Sequence, residues 1–237
     1  KMATICQLVG IETNAAVLIS GPEQSGKTSI AFTAAREIAT QLNHKCSGSV
    51  WFIAQKAKIE TCLPVQVSTP GSDTGLLRNW TEGLEMGRIQ MKYVSNLSDI
   101  KWWLLRVQEL PIEQLPNAVF VDDVERLLAL ETSLSPDHAA RSLLHLFALL
   151  RDSMDFIAEK RGGARCPLVV CFSEAAPSYR ELCGVLERGA KFNHHCIRAT
   201  GSPGCFSFRD NKKETEVSFV WRSSLPDVLG GGFVFEH

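Results

Sequence analysis

Residue type and spacing single out one run of this chain, Gly21-Pro22-Glu23-Gln24-Ser25-Gly26-Lys27-Thr28, with Ser29 behind it. A glycine, four further residues and then Gly-Lys-Thr is the pattern of a loop that cradles the phosphates of a nucleoside triphosphate. Gly21 and Gly26 permit backbone angles and a close approach that a Cβ would hinder, so successive N–H groups can converge on one anion. Lys27 is placed to reach the β- and γ-phosphate oxygens, and the Thr28 hydroxyl to bind Mg²⁺. ATP and Mg²⁺ are the expected ligands, held by residues 21–29.

A second run completes the chemistry. Asn117-Ala118-Val119-Phe120-Val121 is apolar and ends in Asp122-Asp123. An acid at the C-terminal end of a parallel strand lies beside the phosphate loop, where it can hold Mg²⁺ through its water shell. Asp122 is assigned to the metal together with Thr28. Asp123 is the neighbour that orients water or starts the next turn.

These residues need a strand before the loop and a helix after it. Ala16-Val17-Leu18-Ile19-Ser20 reads as a buried strand, and the alanine-rich stretch from Ser29 to about Leu42 as a helix. Residues 1–15 are a lead-in, an extra strand or a cap. Ser49–Ala54 and Arg88–Val94 read as further strands, separated by a loop-rich crossover with a short helix bearing Trp80. Ser98-Asp99 is expected to cap an amphipathic helix carrying Trp102 and Trp103, one in the core and the other on a rim or partner surface. Ser135-Pro136-Asp137 opens a long helix with core stripe Leu143, Leu144, Phe147, Leu150, Met154 and Ile157, which Gly162-Gly163 ends. Leu168–Ser173 is another buried strand, and Ser178–Arg188 a short helix. Beyond it Cys196–Ala199, Cys205–Arg209 and Val217–Trp221 alternate as strands between turns at residues 201–204 and 210–213.

The fold class expected is therefore α/β, one domain over residues 1–237. Its sheet is mostly parallel with helices on both faces, and an antiparallel hairpin region covers about residues 194–237.

Composition narrows the partners. Hydrophobic content of 45% and charged content of 22% suit a globular chain, and no apolar run is long enough to cross a bilayer. No secretory leader is expected before the first strand, and no membrane role. A net charge of −1 does not advertise nucleic-acid binding by the chain alone. The eight cysteines show no paired CxxC spacing and imply a reducing compartment. His194-His195-Cys196 with Cys205 imitates a zinc site, but strand alternation explains the spacing better.

With both motifs in place, the order of elements resembles the RecA core. More narrowly, the chain resembles the ATPase-like recombinase paralogue of the vertebrate Shu complex, the partner of a SWIM-type zinc-finger protein. The stretches that carry this are GPEQSGKTS, Arg88-Ile89-Gln90-Met91-Lys92-Tyr93, AVFVDDVERLL and VSFVWRSS with its short final strand. The resemblance implies an ATP-binding nuclear protein of DNA repair by homologous recombination. It would pair as a heterodimer with the SWIM-type protein and support RecA-type recombinase filaments on single-stranded DNA. The basic positions Arg188, Lys191, Arg198, Arg209, Lys212 and Lys213 are candidates for a phosphate-backbone track, with Arg198, Arg209, Lys212 and Lys213 the DNA-binding set. Phe32-Thr33-Ala34-Ala35 matches the Phe-x-x-Ala element by which such proteins contact the recombinase, although helix periodicity assigns it to the core.

One departure bears on catalysis. RecA-type ATPases carry a glutamate just after the strand that follows the loop's helix, whereas this strand ends in Gln55-Lys56. Neither residue can act as a carboxylate base, so ATP hydrolysis is expected to be slow, with Asp123 or Glu60 the remaining candidates. The position after the next core strand, often Gln or Asn in such proteins, holds Ser173-Glu174. Two other readings stand beside this one: a nucleotide-independent scaffold subunit, and a P-loop kinase acting on a small molecule. The antiparallel C-terminal end and the lack of an arginine-rich lid argue against the kinase.

Overall fold

Four strands of this chain are buried at every position, and that sets its architecture. The computed structural model describes residues 4–11, 16–42, 48–61, 67–68, 84–131, 136–174, 192–199, 205–210, 216–222 and 232–236. In chain order the elements are α1 (Ile5–Leu8), β1 (Ala16–Gly21), α2 (Lys27–Gln41), β2 (Ser49–Ala54), α3 (Lys56–Thr61), β3 (Val67–Ser68), β4 (Ile89–Tyr93), α4 (Leu97–Arg106), β5 (Pro116–Val121), α5 (Val124–Glu131), α6 (Pro136–Lys160), β6 (Leu168–Ser173), β7 (Asn193–Ala199), β8 (Cys205–Asp210), β9 (Glu216–Arg222) and β10 (Gly232–Glu236). Those four are β1, β2, β5 and β6. Apolar residues on both faces of a strand require helices above and below, the arrangement of parallel sheets.

Among the described residues the strands form one sheet in the order β3-β10-β9-β8-β7-β1-β6-β5-β2-β4. From β7 to β4 all neighbours are parallel. From β7 to β10 each strand reverses on the one before. The sheet is thus parallel first and antiparallel at its C-terminal end, as the alternation of residues 196–221 implies.

Two cores flank it. Leu18, Trp51, Ile53, Val119, Val121 and Val170 face α4, α5 and α6. Val17, Ile19, Phe52, Phe120 and Val169 face α1, α2 and Ile59 of α3. Phe32 of α2 sits edge-on to Phe52 with ring centroids 5.3 Å apart, and Phe52 stacks on Phe120 at 6.0 Å. Phe32 is 2% exposed and Ala35 is fully buried, so the Phe-x-x-Ala element belongs to the core. Cys6, Cys166, Cys171 and Cys196 are buried and take part in no disulfide.

Several expectations are refined. The lead-in forms helix α1, closed by a Thr4–Gln7 capping box, and Glu37 accepts hydrogen bonds from the N–H groups of Ile5 and Cys6. Helix α4 is capped by Asn96 rather than by Ser98-Asp99: Asn96 Oδ1 accepts from Asp99 N at 2.9 Å, and Asp99 Oδ2 from Asn96 N at 3.3 Å. Asp99 is the third helical residue, where a carboxylate reaches back to the cap. Trp103 lies half-buried against Trp51, while Trp102 is 49% exposed, the division expected of adjacent tryptophans. In α6 Leu146 takes the fully buried place and Leu144 is only half-buried. Gly162 and Gly163, both at positive φ, end α6. The helices expected around Trp80 and over Ser178–Arg188 lie outside the described residues.

Truncating Phe32 to alanine removes one ring from a cluster of three. Unfolding in denaturant is expected to show a loss of about 3–5 kcal/mol. A partner-contact role for Phe32 would leave stability unchanged.

Candidate functional site

The site is assembled at the C-terminal ends of β1, β2 and β5, where the chain leaves the apolar sheet. The loop after β1 turns through Gln24 and Gly26, at φ 59° and 84°, and Gly26 is the N-cap of α2. That puts the positive end of the α2 dipole at the loop. Gly21 has a second reason to be glycine: a Cβ there would lie 2.9 Å from Ile197 Cβ of β7 and 2.9 Å from Ser25 Oγ. Ser25 Oγ is buried and finds no hydrogen-bond partner among the described residues. Lys27, 5% exposed, donates to the loop's own carbonyls, Gly21 O at 3.1 Å and Pro22 O at 2.6 Å. A buried orphan hydroxyl, a lysine held inside the turn and a helix N-terminus fit a phosphate group.

Thr28 and Asp122 are brought together as expected. The Thr28 hydroxyl lies 3.1 and 2.9 Å from the two Asp122 oxygens. The third participant is Lys58 of α3, which no motif in the sequence marks. Its Nζ donates to Thr28 Oγ1 at 2.8 Å and to Asp122 Oδ2 at 2.8 Å, and pairs with Asp123 Oδ2 at 2.5 Å. Hydroxyl and carboxylate oxygens are the right donors for Mg²⁺. As the side chains stand, however, an ammonium already engages all three, and a divalent ion does not fit beside it.

Charge and burial act together here. Burial opposes the charge of Lys58, but the carboxylates of Asp122 and Asp123 outweigh it and hold the ammonium above its ordinary pKa. Burial pushes the Asp122 carboxyl up, with Lys58 and Thr28 pulling against it. Asp123, at φ 48°, is also 3.8 Å from Arg126 Nε.

The carboxylate candidates separate. Glu60 lies on the outer side of α3, exposed and 3.6 Å from Lys56. Asp123 is buried and engaged by Lys58. A third carboxylate, Glu125, was not singled out by its position in the sequence. Burial, followed by the charge of Asp123, raises it to about 7, against hydrogen bonding from the Ser173 backbone and the charge of Lys27. Only the turn of α5 back toward the loop makes it a site residue, so a linear motif could not reveal it.

Behind the loop, Ser20 Oγ lies 2.8 Å from His194 Nε2, 3.2 Å from Glu174 Oε1 and 3.3 Å from Cys196 Sγ. His195 instead meets Asn193 at 2.8 Å, so strand alternation does divide His194 from His195. Among the described residues no three His, Cys, Asp or Glu side chains are placed to hold a metal. Of the basic candidates, Arg209 is half-buried on β8, opposite Cys196 and Glu216 in register. Position 198 pairs with Ser207 across β7 and β8, which puts positions 198 and 209 on one face of the sheet. The Arg198 side chain, Arg188, Lys191, Lys212 and Lys213 lie outside the described residues.

No protein-family model matches the chain, and no curated protein is similar enough to count as a match.

Glu125 gives the site a pH signature. Its folded pKa exceeds the ordinary carboxylate value, so between pH 4.5 and about 7 the folded chain binds the extra proton and stability falls as pH rises. The loss approaches about 3 kcal/mol above neutrality. Glu125→Gln is expected to flatten that slope, gaining on the wild type as pH increases in denaturant titrations. Parallel pH profiles would contradict it.

Proposed function

We propose that the chain is a nucleotide-binding protein of the P-loop class, taking ATP at residues 21–29. The observation that carries this reading is the meeting at one end of the sheet of the Gly26-capped loop, Lys27, the orphan Ser25 hydroxyl and the Thr28–Asp122 pair. Bound there, ATP would supply a triphosphate whose negative charge Lys27 and the α2 N-terminus neutralise. Turnover by the chain alone is slow, because Gln55 and Lys56, directly after β2, offer no carboxylate base.

Within that class we infer a RecA-type core and the particular role of a recombinase paralogue. It pairs with a SWIM-type zinc-finger protein in the nucleus and supports recombinase filaments on single-stranded DNA. The four stretches that resemble the Shu-complex subunit support this, as does the shared face of positions 198 and 209. The scaffold reading keeps one observation in its favour, the closed Thr28–Lys58–Asp122–Asp123 network.

Lys27→Ala removes a charge-assisted contact worth on the order of 1.5–3 kcal/mol, so ATP affinity should drop about tenfold or more in calorimetry. An ATP-blind wild type would favour the scaffold. The DNA role is read from the complex with the SWIM-type protein: alanine at Arg198, Arg209, Lys212 and Lys213 should lower both the affinity for single-stranded DNA and its salt slope. A complex unchanged in both would remove these residues from the DNA track.

A further inference from the structure

We propose that Lys58 supplies the cation of the nucleotide site, taking the place beside Thr28 and Asp122 that magnesium fills in other phosphate-binding loops, so that this chain binds nucleotide without a divalent metal. The inference rests on the nucleotide-binding reading above and deepens it.

The geometry is that of a filled cation position. An ammonium has three N–H donors, and here each has an oxygen within 2.8 Å: Thr28 Oγ1, Asp122 Oδ2 and Asp123 Oδ2. Thr28 and Asp122 are the groups that address the metal in a phosphate-binding loop, so the lysine and the metal compete for the same oxygens. Asp122 is 1% exposed and Lys58 16%, so the interaction is poorly screened and neither partner leaves without stranding a buried charge.

The tether favours the lysine. Helix α3 starts two residues after β2 ends, and Ile59, 2% exposed, anchors it in the core beneath the site. Ile59 N donates to Gln55 O at 3.2 Å, and the outward Lys56–Glu60 pair lies on the solvent side. Lys58 is thereby held at the acids before any ligand arrives. A magnesium ion would have to shed water, which it does reluctantly, and also expel a tethered charge. Among the described residues the other cations near the site are otherwise placed: Lys27 is on the loop carbonyls, and Arg126 approaches Asp123. Lys27 therefore serves the phosphates and Lys58 the acids.

The test is a titration of the full chain with a fluorescent ATP analogue, in excess Mg²⁺ and in EDTA, for wild type, Lys58→Met and Lys58→Arg. The proposal expects wild-type and Lys58→Arg affinities to differ by less than about threefold between the two conditions, and Lys58→Met to bind about tenfold tighter with Mg²⁺. A second readout needs no nucleotide: Mg²⁺ should raise the melting temperature of Lys58→Met and leave that of the wild type unchanged. A wild type that loses about threefold or more in EDTA overturns the proposal, whether or not Lys58→Met folds. So does a Lys58→Met chain with no magnesium requirement. Failure of every form to bind in either condition overturns the nucleotide reading itself; binding by a magnesium-requiring wild type overturns only the role of Lys58.

Discussion

The rest of this structure follows from one constraint: β1, β2, β5 and β6 are buried on both faces and have almost no place for a charged side chain along their length. An unpaired charge within such a layer is costly enough to unfold a domain of ordinary stability. Charged residues adjacent to these strands therefore collect where the strands end. In a parallel sheet those ends share one edge, so the loop after β1, the acids after β5 and the helix after β2 meet there although they are far apart in sequence. Asp122 N donates to Ile53 O at 2.9 Å, and Glu174 N to Gly21 O at 3.1 Å, so backbone bonds fix the spacing of these ends.

The same burial explains the charge network. Asp122 and Asp123 are adjacent carboxylates, nearly closed to solvent, and their repulsion needs a cation. Lys58 provides one from a neighbouring element, which makes the cluster self-contained. Pairs of this kind contribute little net stability compared with an apolar replacement, yet removing one partner is strongly destabilising. Their value lies in fixing position. The cluster ties α3 to the start of α2 and to the end of β5, holding Thr28 at the mouth of the loop.

Between β4 and α4, and along α4, cations meet aromatic rings instead. Lys92 Nζ lies 4.3 Å from the Trp103 ring and 5.0 Å from Trp51, and Arg106 stands 4.7 Å over Trp102. Desolvation lowers the pKa of Lys92, a cost that the facing rings partly offset.

The sequence alone determined whatever depends on neighbours along the chain. The loop from Gly21 to Thr28 is legible because a glycine-bearing turn of consecutive N–H groups at a helix N-terminus is a local pattern. Strands β2, β5 and β6 are legible because burial on both faces leaves short apolar runs, and the start of α6 because Pro136 suits a first helical position. Asp122 is legible as the acid at a strand end. Tertiary structure decided the rest. Asn96 displaced Ser98 as the cap of α4 because the fold of Asp99 back onto it is a matter of geometry. Lys58 reads in sequence as one more lysine of an ordinary KAKIE turn, and Glu125 as one more polar residue of a short helix. Only the parallel sheet brings residues 28, 58, 122 and 123 within hydrogen-bonding distance. Long-range burial then sets their charges, and no local pattern in the chain encodes it.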